Sequence, residues 1–416
     1  MNVLIIGGGG REHAIGWKIK RSPSLDKLFF APGNAGTAEI GENIAIKTDD
    51  FAALAGFAKD NRIGVTIVGP EAPLQAGIVD YFKRNGLRVF GPSKAGAALE
   101  GSKSFAKTFM KKYDVPTANY KTFDSQSDAL DALNSMQYPI VVKADGLAAG
   151  KGVIICASKS EAEKAIGAIM GDRAFGAAGD TIVIEEFLEG PEASVLCFTD
   201  GETLVPMESA GDYKRAFDHD KGLNTGGMGS VSPAFGYTPD MAREIADKTL
   251  KGLKAEGFDY RGIIYIGLKL TSDGPKVLEY NVRFGDPETQ ALLPRLDSDL
   301  LEIINAVTDG ELNGANIKWK KEKAVSVVMA SGGYPETFNA GYVIKGVPKN
   351  DVAVFHAGTA LSEGKVVTNG GRVLAVTALG ADMDSAREKA YEAVKKITFK
   401  DSHYRNDIGL DPEAIK

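Results

Sequence analysis

The chain has 416 residues, 25% of them charged, and a formal net charge of −6, which is an ordinary composition for a globular protein. Its length predicts two to four domains, and its charge argues against a general nucleic-acid binder, which would need a basic surface. No apolar run approaches a membrane span, the N-terminus has no basic leader, and Cys156 and Cys197 have no metal or disulfide spacing. We therefore expect a cytoplasmic protein with no membrane or nucleic-acid partner.

The first hundred residues alternate apolar strands with helices. Strands are predicted at 2–6, 27–31, 65–69 and 88–90, and helices at 11–17, 50–59 and 77–85. This alternation predicts a doubly wound parallel sheet, which binds ligands at the carboxyl ends of its strands. Loops rich in Gly and Pro follow those ends at 7–10, 32–36 and 69–73. A dinucleotide is disfavoured because the G-x-G-x-x-G spacing fails, whereas a sugar phosphate could bind the first loop.

The rest of the chain differs in kind. Ser102 is predicted to cap a helix at 103–113. Strand-like runs follow at 139–143, 152–157, 181–187, 193–199, 203–207, 263–270 and 276–282. Hairpin turns between several of them predict an antiparallel and mixed α+β domain. Beyond about Ala324, strands at 325–330, 352–355, 365–367 and 372–378 and a helix at 384–396 predict a small β-rich third domain.

A glycine-rich segment, Lys143–Gly152, joins two of the predicted strands. It is one residue short of a P-loop between Gly146 and Gly150, and Gly152 follows Lys151 where a P-loop needs Ser or Thr. With a lysine at each end, the segment suits a flexible lid that closes over phosphates. Lys143 ends an apolar strand, where an ammonium group is costly without an anionic partner.

Two further segments carry charged residues. The run 182–192 is an apolar strand that ends in Glu185 and Glu186 and continues through Leu188 to Glu192, an arrangement that suits a nucleotide pocket. The stretch 209–230 has no regular periodicity, and long irregular stretches in compact domains are usually functional or disordered. We interpret it as a substrate loop.

The most informative segment is 277–288. In a strand, Tyr280, Val282 and Phe284 would fill one apolar face. Glu279, Asn281 and Arg283 would line the other face, and the turn at 285–288 adds carboxylates at the same end. An acid, an amide and a guanidinium in a row suit a metal ion beside a phosphoryl group.

Together these segments resemble the ATP-grasp superfamily, and within it the phosphoribosylamine–glycine ligase family. The resemblance runs essentially end to end and is carried by residues 8–13, 32–36, 68–73, 143–152, 224–229, 283–288 and 367–372. It implies three domains: an N-terminal doubly wound parallel sheet (1–102), a central ATP-grasp fold (103–322, with a lid subdomain at about 118–190) and a small β-rich C-terminal domain (323–416). It also implies synthesis of glycinamide ribonucleotide in purine biosynthesis from glycine, 5-phosphoribosylamine and ATP, with Mg²⁺ or Mn²⁺. We further expect a monomer.

The resemblance also implies roles for individual residues. Glu279 and Asn281 would bind the metal; Lys103, Lys143 and the lid residues Gly150, Lys151 and Gly152 would hold phosphates; and Glu185, Glu186, Leu188 and Glu192 would hold adenosine. Arg283, Lys214 and Asp212 are our catalytic candidates: Arg283 for the transferring phosphoryl group, and the other two near glycine. Substrate contacts are predicted for Gly8, Gly10, Asn34, Glu71, Asp212, Asn224, Gly227 and Asp286.

Three alternatives are weighed against this reading. Another ATP-grasp ligase, such as a bicarbonate-using carboxylase, would share the same lid and strand face. A nucleotide-binding regulator without turnover would not need the row of Glu279, Asn281 and Arg283. A nicotinamide oxidoreductase is disfavoured by the failed glycine spacing.

Overall fold

In a computed structural model, which describes residues 1–146 and 152–413, the first hundred residues form five strands and six helices. The strands are β1 (Asn2–Gly7), β2 (Leu28–Pro32), β3 (Glu42–Asn43), β4 (Ile63–Val68) and β5 (Val89–Pro92). The helices are α1 (Gly10–Ile19), α2 (Thr37–Ile40), α3 (Phe51–Asp60), α4 (Glu71–Ala76), α5 (Ile78–Arg84) and α6 (Lys94–Gly101). All five strands pair in parallel in the order β5-β4-β1-β2-β3, which confirms the predicted doubly wound sheet.

The middle of the chain is a mixture of antiparallel strands and helices. Its strands are β6 (Tyr120–Phe123), β7 (Ile140–Ala144), β8 (Val153–Cys156), β9 (Ile182–Glu186), β10 (Glu192–Thr199), β11 (Leu204–Pro206), β12 (Gly211–Asp212), β13 (Arg215–Phe217), β14 (Lys221–Asn224), β15 (Gly229–Ser232), β16 (Tyr260–Thr271) and β17 (Gly274–Asn281). Its helices are α7 (Lys103–Lys112), α8 (Gln126–Ala132), α9 (Lys159–Ile166), α10 (Asp240–Ala255), α11 (Glu288–Leu292) and α12 (Leu300–Asp309), with short helical turns at 133–135, 167–171 and 176–179. Ser102 caps α7 by accepting a hydrogen bond from the Phe105 amide, as predicted.

Two sheets of this region position the site. The strands β6, β9, β7 and β8 form a four-stranded antiparallel sheet over its own apolar core. The long strand β16 pairs with β10 on one side and β17 on the other, and its first two residues pair with β5. The parallel sheet of the first region therefore continues directly into the antiparallel strands that carry the predicted metal face.

The last region contains β18 (Lys323–Ala330), β19 (Ala353–His356), β20 (Thr359–Ser362), β21 (Lys365–Thr368), β22 (Arg372–Gly380) and α13 (Met383–Val394). Its main sheet has the order β12-β15-β18-β22-β19, so two strands from residues 211–232 complete it. The prediction of an irregular stretch at 209–230 is therefore wrong. Each of its four strands has only two to four residues, which is too short for a side-chain alternation to be visible in the sequence. Within residues 1–146 and 152–413, no helix is both long and apolar enough to cross a membrane.

A buried pair of histidines joins the first region to the last. His13 on α1 packs against His356 at the end of β19, with ring centroids 5.6 Å apart. The backbone N–H of His356 donates a 2.8 Å hydrogen bond to Nδ1 of His13. Burial, together with repulsion from His356 when that ring is protonated, lowers the pKa of His13 to about 3, and burial lowers the pKa of His356 to about 4. Both rings are therefore neutral at pH 7.

We expect this pair to make the protein lose stability in acid. The unfolded chain protonates both imidazoles below about pH 6.5, whereas the folded chain does so only near pH 4 and below. The stabilisation is thus present above pH 6.5 and is lost as the pH falls from there through about 4 and 3. At pH 5 the free energy of unfolding should be lower than at pH 7 by about 2 kcal/mol for each ring. Urea unfolding at pH 7 and pH 5 measures this difference.

The variant His13→Asn keeps an acceptor for the His356 amide but removes one titrating ring. In this variant, the difference in the free energy of unfolding between pH 7 and pH 5 should be smaller than in the wild type by about 2 kcal/mol. The exposed His219 provides the matched control, and His219→Asn should keep the wild-type difference. A full wild-type difference in His13→Asn would contradict this account.

Candidate active site

Most of the predicted site residues line one cavity of ≈730 Å³ between the four-stranded sheet, β17 and the β12–β15 segment. These residues are Glu71, Lys103, Lys143, Gly152, Glu185, Glu186, Leu188, Glu192, Asp212, Lys214, Asn224, Glu279, Asn281, Arg283 and Asp286. The structure therefore brings together residues that are up to 215 positions apart in the chain, as between Glu71 and Asp286.

One wall of this cavity is the predicted face of β17. Tyr280, Val282 and Phe284 are buried on the opposite side, as expected from the alternation. The Glu279 carboxylate is half-buried and has no hydrogen-bond partner among the described residues. Burial opposes its charge, but three lysines of the cavity (Lys214, Lys143 and Lys103) nevertheless lower the pKa of Glu279. An ionised carboxylate near several lysines, with no hydrogen-bond partner among the described residues, is a group that a metal ion could use.

The guanidinium of Arg283 is held by groups from two parts of the chain. Its Nη2 lies 2.8 Å from Oε1 of Glu100 and donates a 3.0 Å hydrogen bond to Oδ1 of Asn281. Its Nε lies 3.4 Å from Oε2 of Glu71 and has no hydrogen-bond partner in the described structure. Burial alone would lower the pKa of Arg283, but the two glutamates raise it, so the side chain carries a permanent positive charge.

A buried row of charges lies along the four-stranded sheet. The two carboxylate oxygens of Glu185 lie 2.9 Å from Nζ of Lys143 and 3.1 Å from Nζ of Lys107. Lys143 therefore has the anionic partner that its place on an apolar strand requires. Burial lowers the pKa of Lys107 to about 8, against the opposing charge of Glu185. Nearby, Lys103 donates a 3.0 Å hydrogen bond to the carbonyl of Gly146.

Because these three charges are buried, we expect Glu185→Gln to destabilise the protein. Removing one member of a buried ion pair leaves an uncompensated charge and typically costs about 3–5 kcal/mol. Urea unfolding at pH 7 measures the loss. The matched control is Glu163→Gln, which removes an exposed acid paired with Lys159 and should cost less than about 0.5 kcal/mol. Equal unfolding free energies for Glu185→Gln and the wild type would contradict the expectation.

The other acids of the predicted nucleotide pocket are also paired. Glu192 lies 2.8 Å from Lys214 and 3.3 Å from Lys269, and these lysines outweigh burial and lower the pKa of Glu192 to about 2. Glu186 accepts hydrogen bonds of 2.9 and 3.0 Å from the backbone and side-chain amides of Asn119. Both glutamates line the cavity, but their contact with adenosine stays a prediction.

Three other acids of the cavity lie close to Asp212. Burial, assisted by Glu288, Glu192 and Glu279, raises the pKa of Asp212, and Lys214 opposes the shift. Glu288 is buried and accepts a 3.0 Å hydrogen bond from the hydroxyl of Tyr265. This concentration of negative charge beside Lys214 would favour a ligand that carries a positive charge, such as the ammonium group of an amino acid.

A smaller cavity of ≈350 Å³ lies between the first and last regions. It is lined by Gly8, Gly9, Gly33 and Asn34 on one side, by Tyr334, Ala357, Gly358, Thr359, Asn369 and Arg372 on the other, and by Asp286 between them. Asp286 and Arg372 also line the larger cavity, so the two spaces adjoin. Burial opposes the charge of Asp286, but Arg372 and Arg11 lower its pKa.

Only some of the predicted substrate residues line this smaller cavity, and they do so in different ways. The side-chain amide of Asn34 donates to the carbonyls of Gly8 and His356, and its Oδ1 accepts from the backbone N–H groups of Gly36 and Thr37, so its side chain shapes the wall. Gly8 is required by close approach, since a Cβ there would lie 2.5 Å from the Gly33 carbonyl oxygen. Gly10 and Gly227 line neither cavity, and Gly150 and Lys151 lie outside the described residues.

Comparisons with known proteins decide the family. Models of the N domain, the ATP-grasp (A) domain and the C domain of phosphoribosylglycinamide synthetase match residues 1–100, 101–289 and 324–411. The chain belongs to the phosphoribosylglycinamide synthetase family, whose central domain is an ATP-grasp ligase domain.

Individual relatives agree with this membership. A phosphoribosylamine–glycine ligase of Caldanaerobacter subterraneus is 48% identical over 98% of this chain and 99% of its own length. The trifunctional purine biosynthetic protein adenosine-3 of Gallus gallus is 52% identical, but this chain spans only 42% of its length. The crystal structure of phosphoribosylamine–glycine ligase from Thermotoga maritima covers 98% of this chain with a TM-score of 0.87 and 38% identity. The three-domain architecture with a central ATP-grasp fold is thereby confirmed.

Several residues that line the two cavities were not predicted from the sequence. Lys107 follows Lys103 by one helical turn, so the lysine spacing on α7 could have indicated that both face the same side. Glu288 was visible as part of the 285–288 turn. Arg372 belongs to the segment 367–372 that carries the family resemblance, but no role was predicted for it. Glu100 carried no signal, because it reaches the site from another element of the fold.

Proposed function

We propose that this chain is an ATP-dependent ligase that joins the carboxylate of glycine to the amine of 5-phosphoribosylamine. The products would be glycinamide ribonucleotide, ADP and phosphate, with glycyl phosphate as the intermediate, in a step of purine biosynthesis. The family membership supports the reaction, and the domain roles follow the limits 1–102, 103–322 and 323–416. The single observation that best supports the assignment of roles is the cavity in which three lysines face the row of Glu279, Asn281 and Arg283.

The residues of β17 fit a divalent cation of the Mg²⁺ or Mn²⁺ type. Both ions prefer oxygen ligands, and Glu279 has an unpartnered carboxylate. The Oδ1 of Asn281 accepts one hydrogen bond from Arg283 and keeps a second lone pair. A cation bound there would neutralise phosphoryl oxygens. Within residues 1–146 and 152–413 no cluster of three or more His, Cys, Asp or Glu side chains forms a metal site, so the remaining ligands would come from phosphate and water.

The lysines of the cavity would hold the ATP phosphates. Lys143 is fixed in place by Glu185, and Lys103 lies near it at the start of α7. Two unit charges 4 Å apart interact by about 1 kcal/mol in water but by about 4 kcal/mol at an effective dielectric near 20. A cavity that excludes water would therefore strengthen the attraction between these ammonium groups and the phosphates. It would also protect glycyl phosphate from hydrolysis until the amine attacks.

Activation as an acyl phosphate is needed because oxide cannot leave from a carboxylate at neutral pH. Arg283 would stabilise the transferring phosphoryl group through the N–H groups that its partners leave free. Lys214 would attract the glycine carboxylate, and Asp212 the ammonium group. The ribose phosphate would occupy the smaller cavity, where Asp286 can accept sugar hydroxyl hydrogens and Arg372 supplies positive charge.

The deciding experiment follows ADP release and product formation with ATP, Mg²⁺, glycine and freshly generated phosphoribosylamine. We expect both signals with all substrates present and neither when glycine or phosphoribosylamine is omitted. ADP release that depends on bicarbonate and ignores glycine would instead indicate an ATP-grasp carboxylase. ATP binding without ADP release under any of these conditions would indicate a regulator.

A further inference from the structure

The residues that follow β17, Val282 and Arg283, lie outside the sheet, although Arg283 is a proposed catalytic residue. The pairing between β16 and β17 ends at Tyr265 and Asn281. Among the described residues, Val282 and Arg283 therefore have no strand partner to fix their backbone, although they directly follow the proposed metal-binding strand. Without a sheet partner, the buried N–H of Val282 needs an acceptor from another element of the fold.

Glu100, in the last turn of α6, provides that acceptor. Its Oε2 accepts a 2.8 Å hydrogen bond from the backbone N–H of Val282. Its Oε1 lies 2.8 Å from Nη2 of Arg283, and the Glu100 side chain is 6% exposed. A single carboxylate thus holds both the backbone before Arg283 and the guanidinium itself.

The same contacts reach Asn281. Nη2 of Arg283 donates a hydrogen bond to Oδ1 of Asn281 and forms an ion pair with Glu100, so the same nitrogen contacts both side chains. A second glutamate, Glu71, lies 3.4 Å from Nε of the same guanidinium. Rotation of Arg283 away from Glu100 would therefore also release the amide of Asn281. The two side chains are fixed as one unit from the first domain.

We infer that Glu100 is a positioning residue for the ligation: it sets the orientation of Arg283 and, through it, of Asn281, without itself contacting the reacting atoms. This inference rests on the proposed function of the cavity. Its consequence is that the N-terminal domain, besides the substrate binding proposed for it, supplies the carboxylate that aligns the residues that follow β17.

The variant Glu100→Gln tests this role with little change in shape. Its single carbonyl oxygen can serve Val282 or Arg283 but not both, and its NH₂ group would face a donor. We expect kcat to fall about 10- to 100-fold, the loss typical of a charge-assisted hydrogen bond, while the KM for ATP changes less than about twofold. The matched control, Glu256→Gln, removes a carboxylate paired with Lys112 away from both cavities and should keep wild-type kcat.

A double-mutant cycle separates positioning from a general structural effect. If Glu100 acts through Arg283, Glu100→Gln should reduce kcat far less in an Arg283→Lys background than in the wild type. The inference would be overturned if the kcat of the double variant fell by the product of the two single losses. It would also be overturned if Glu100→Gln kept the wild-type kcat. If Arg283→Lys has no measurable turnover, the kcat and KM of Glu100→Gln decide alone.

Thermal unfolding and ATP binding establish that each variant is folded before its kinetics are compared. Should Glu100→Gln not fold, Glu100→Asp takes its place, since it keeps the charge but withdraws it by one methylene, and the same outcomes apply. Failure of the proposed function looks different: the wild-type protein itself would not form the product. If the wild type forms the product but the kcat losses of the two substitutions multiply in the double mutant, the proposed function stands and only the role of Glu100 is rejected.

Discussion

Glu279→Gln should reduce ligation about 1000-fold while leaving most ATP binding intact. The substitution keeps the shape of the side chain but removes the negative charge that the cavity's lysines stabilise on Glu279. Without that charge, the face of β17 offers a cation only amide oxygens, which are weaker ligands for Mg²⁺ than a carboxylate. ATP would still meet Lys103 and Lys143. The measurements are ADP release with both substrates and nucleotide affinity without them.

The metal dependence makes this expectation specific. If Glu279 binds the cation, the concentration of Mg²⁺ or Mn²⁺ needed for half-maximal rate should rise in the variant, so that extra metal recovers part of the lost activity. Glu202→Gln is a suitable control, because Glu202 is an exposed acid paired with Lys254. Wild-type turnover of Glu279→Gln at the same metal concentration would remove Glu279 from the metal site.

The fold followed from the sequence wherever a residue pattern repeats over several positions. Four of the five strands of the parallel sheet, and the hairpin of β16 and β17, were predicted within a few residues, because apolar runs and turn residues define them locally. The two-residue strand β3 was not predicted. The strands of residues 211–232 were missed, because they are stabilised by pairing with β18 and with each other rather than by their own composition.

The site residues were likewise predictable only where local strand geometry groups them. Glu279, Asn281 and Arg283 could be grouped from the sequence because strand geometry alone places them on one face. Their partners could not, since Glu100 is more than 180 residues from Arg283 and meets it only after two domains share a sheet. The pairing of Glu185 with Lys107 and Lys143 was hidden for the same reason: three separate elements contribute one charge each.

Arg283→Ala should abolish measurable ligation, with a loss of about 1000-fold or more, while ATP still binds. Arg283 is the cation proposed to stabilise the transferring phosphoryl group, and such preorganised donors commonly contribute 10²- to 10³-fold each. Its removal also frees Asn281 from the hydrogen bond that orients its amide. Single-turnover measurements should show the loss in formation of glycyl phosphate rather than in release of the product.

The structure also predicts that Arg283→Ala loses stability as well as activity. Glu71 and Glu100 both face the guanidinium, and burial of Glu100 raises its pKa even with Arg283 present. Without the cation these carboxylates repel each other, so Arg283→Ala should also lose stability, and its unfolding must be measured beside its kinetics. Arg283→Lys separates the two effects, because it keeps a positive charge between the glutamates but cannot reproduce the planar guanidinium. A stable Arg283→Lys protein with little turnover would assign the loss to phosphoryl stabilisation, whereas near wild-type turnover in either variant would remove Arg283 from the chemical step.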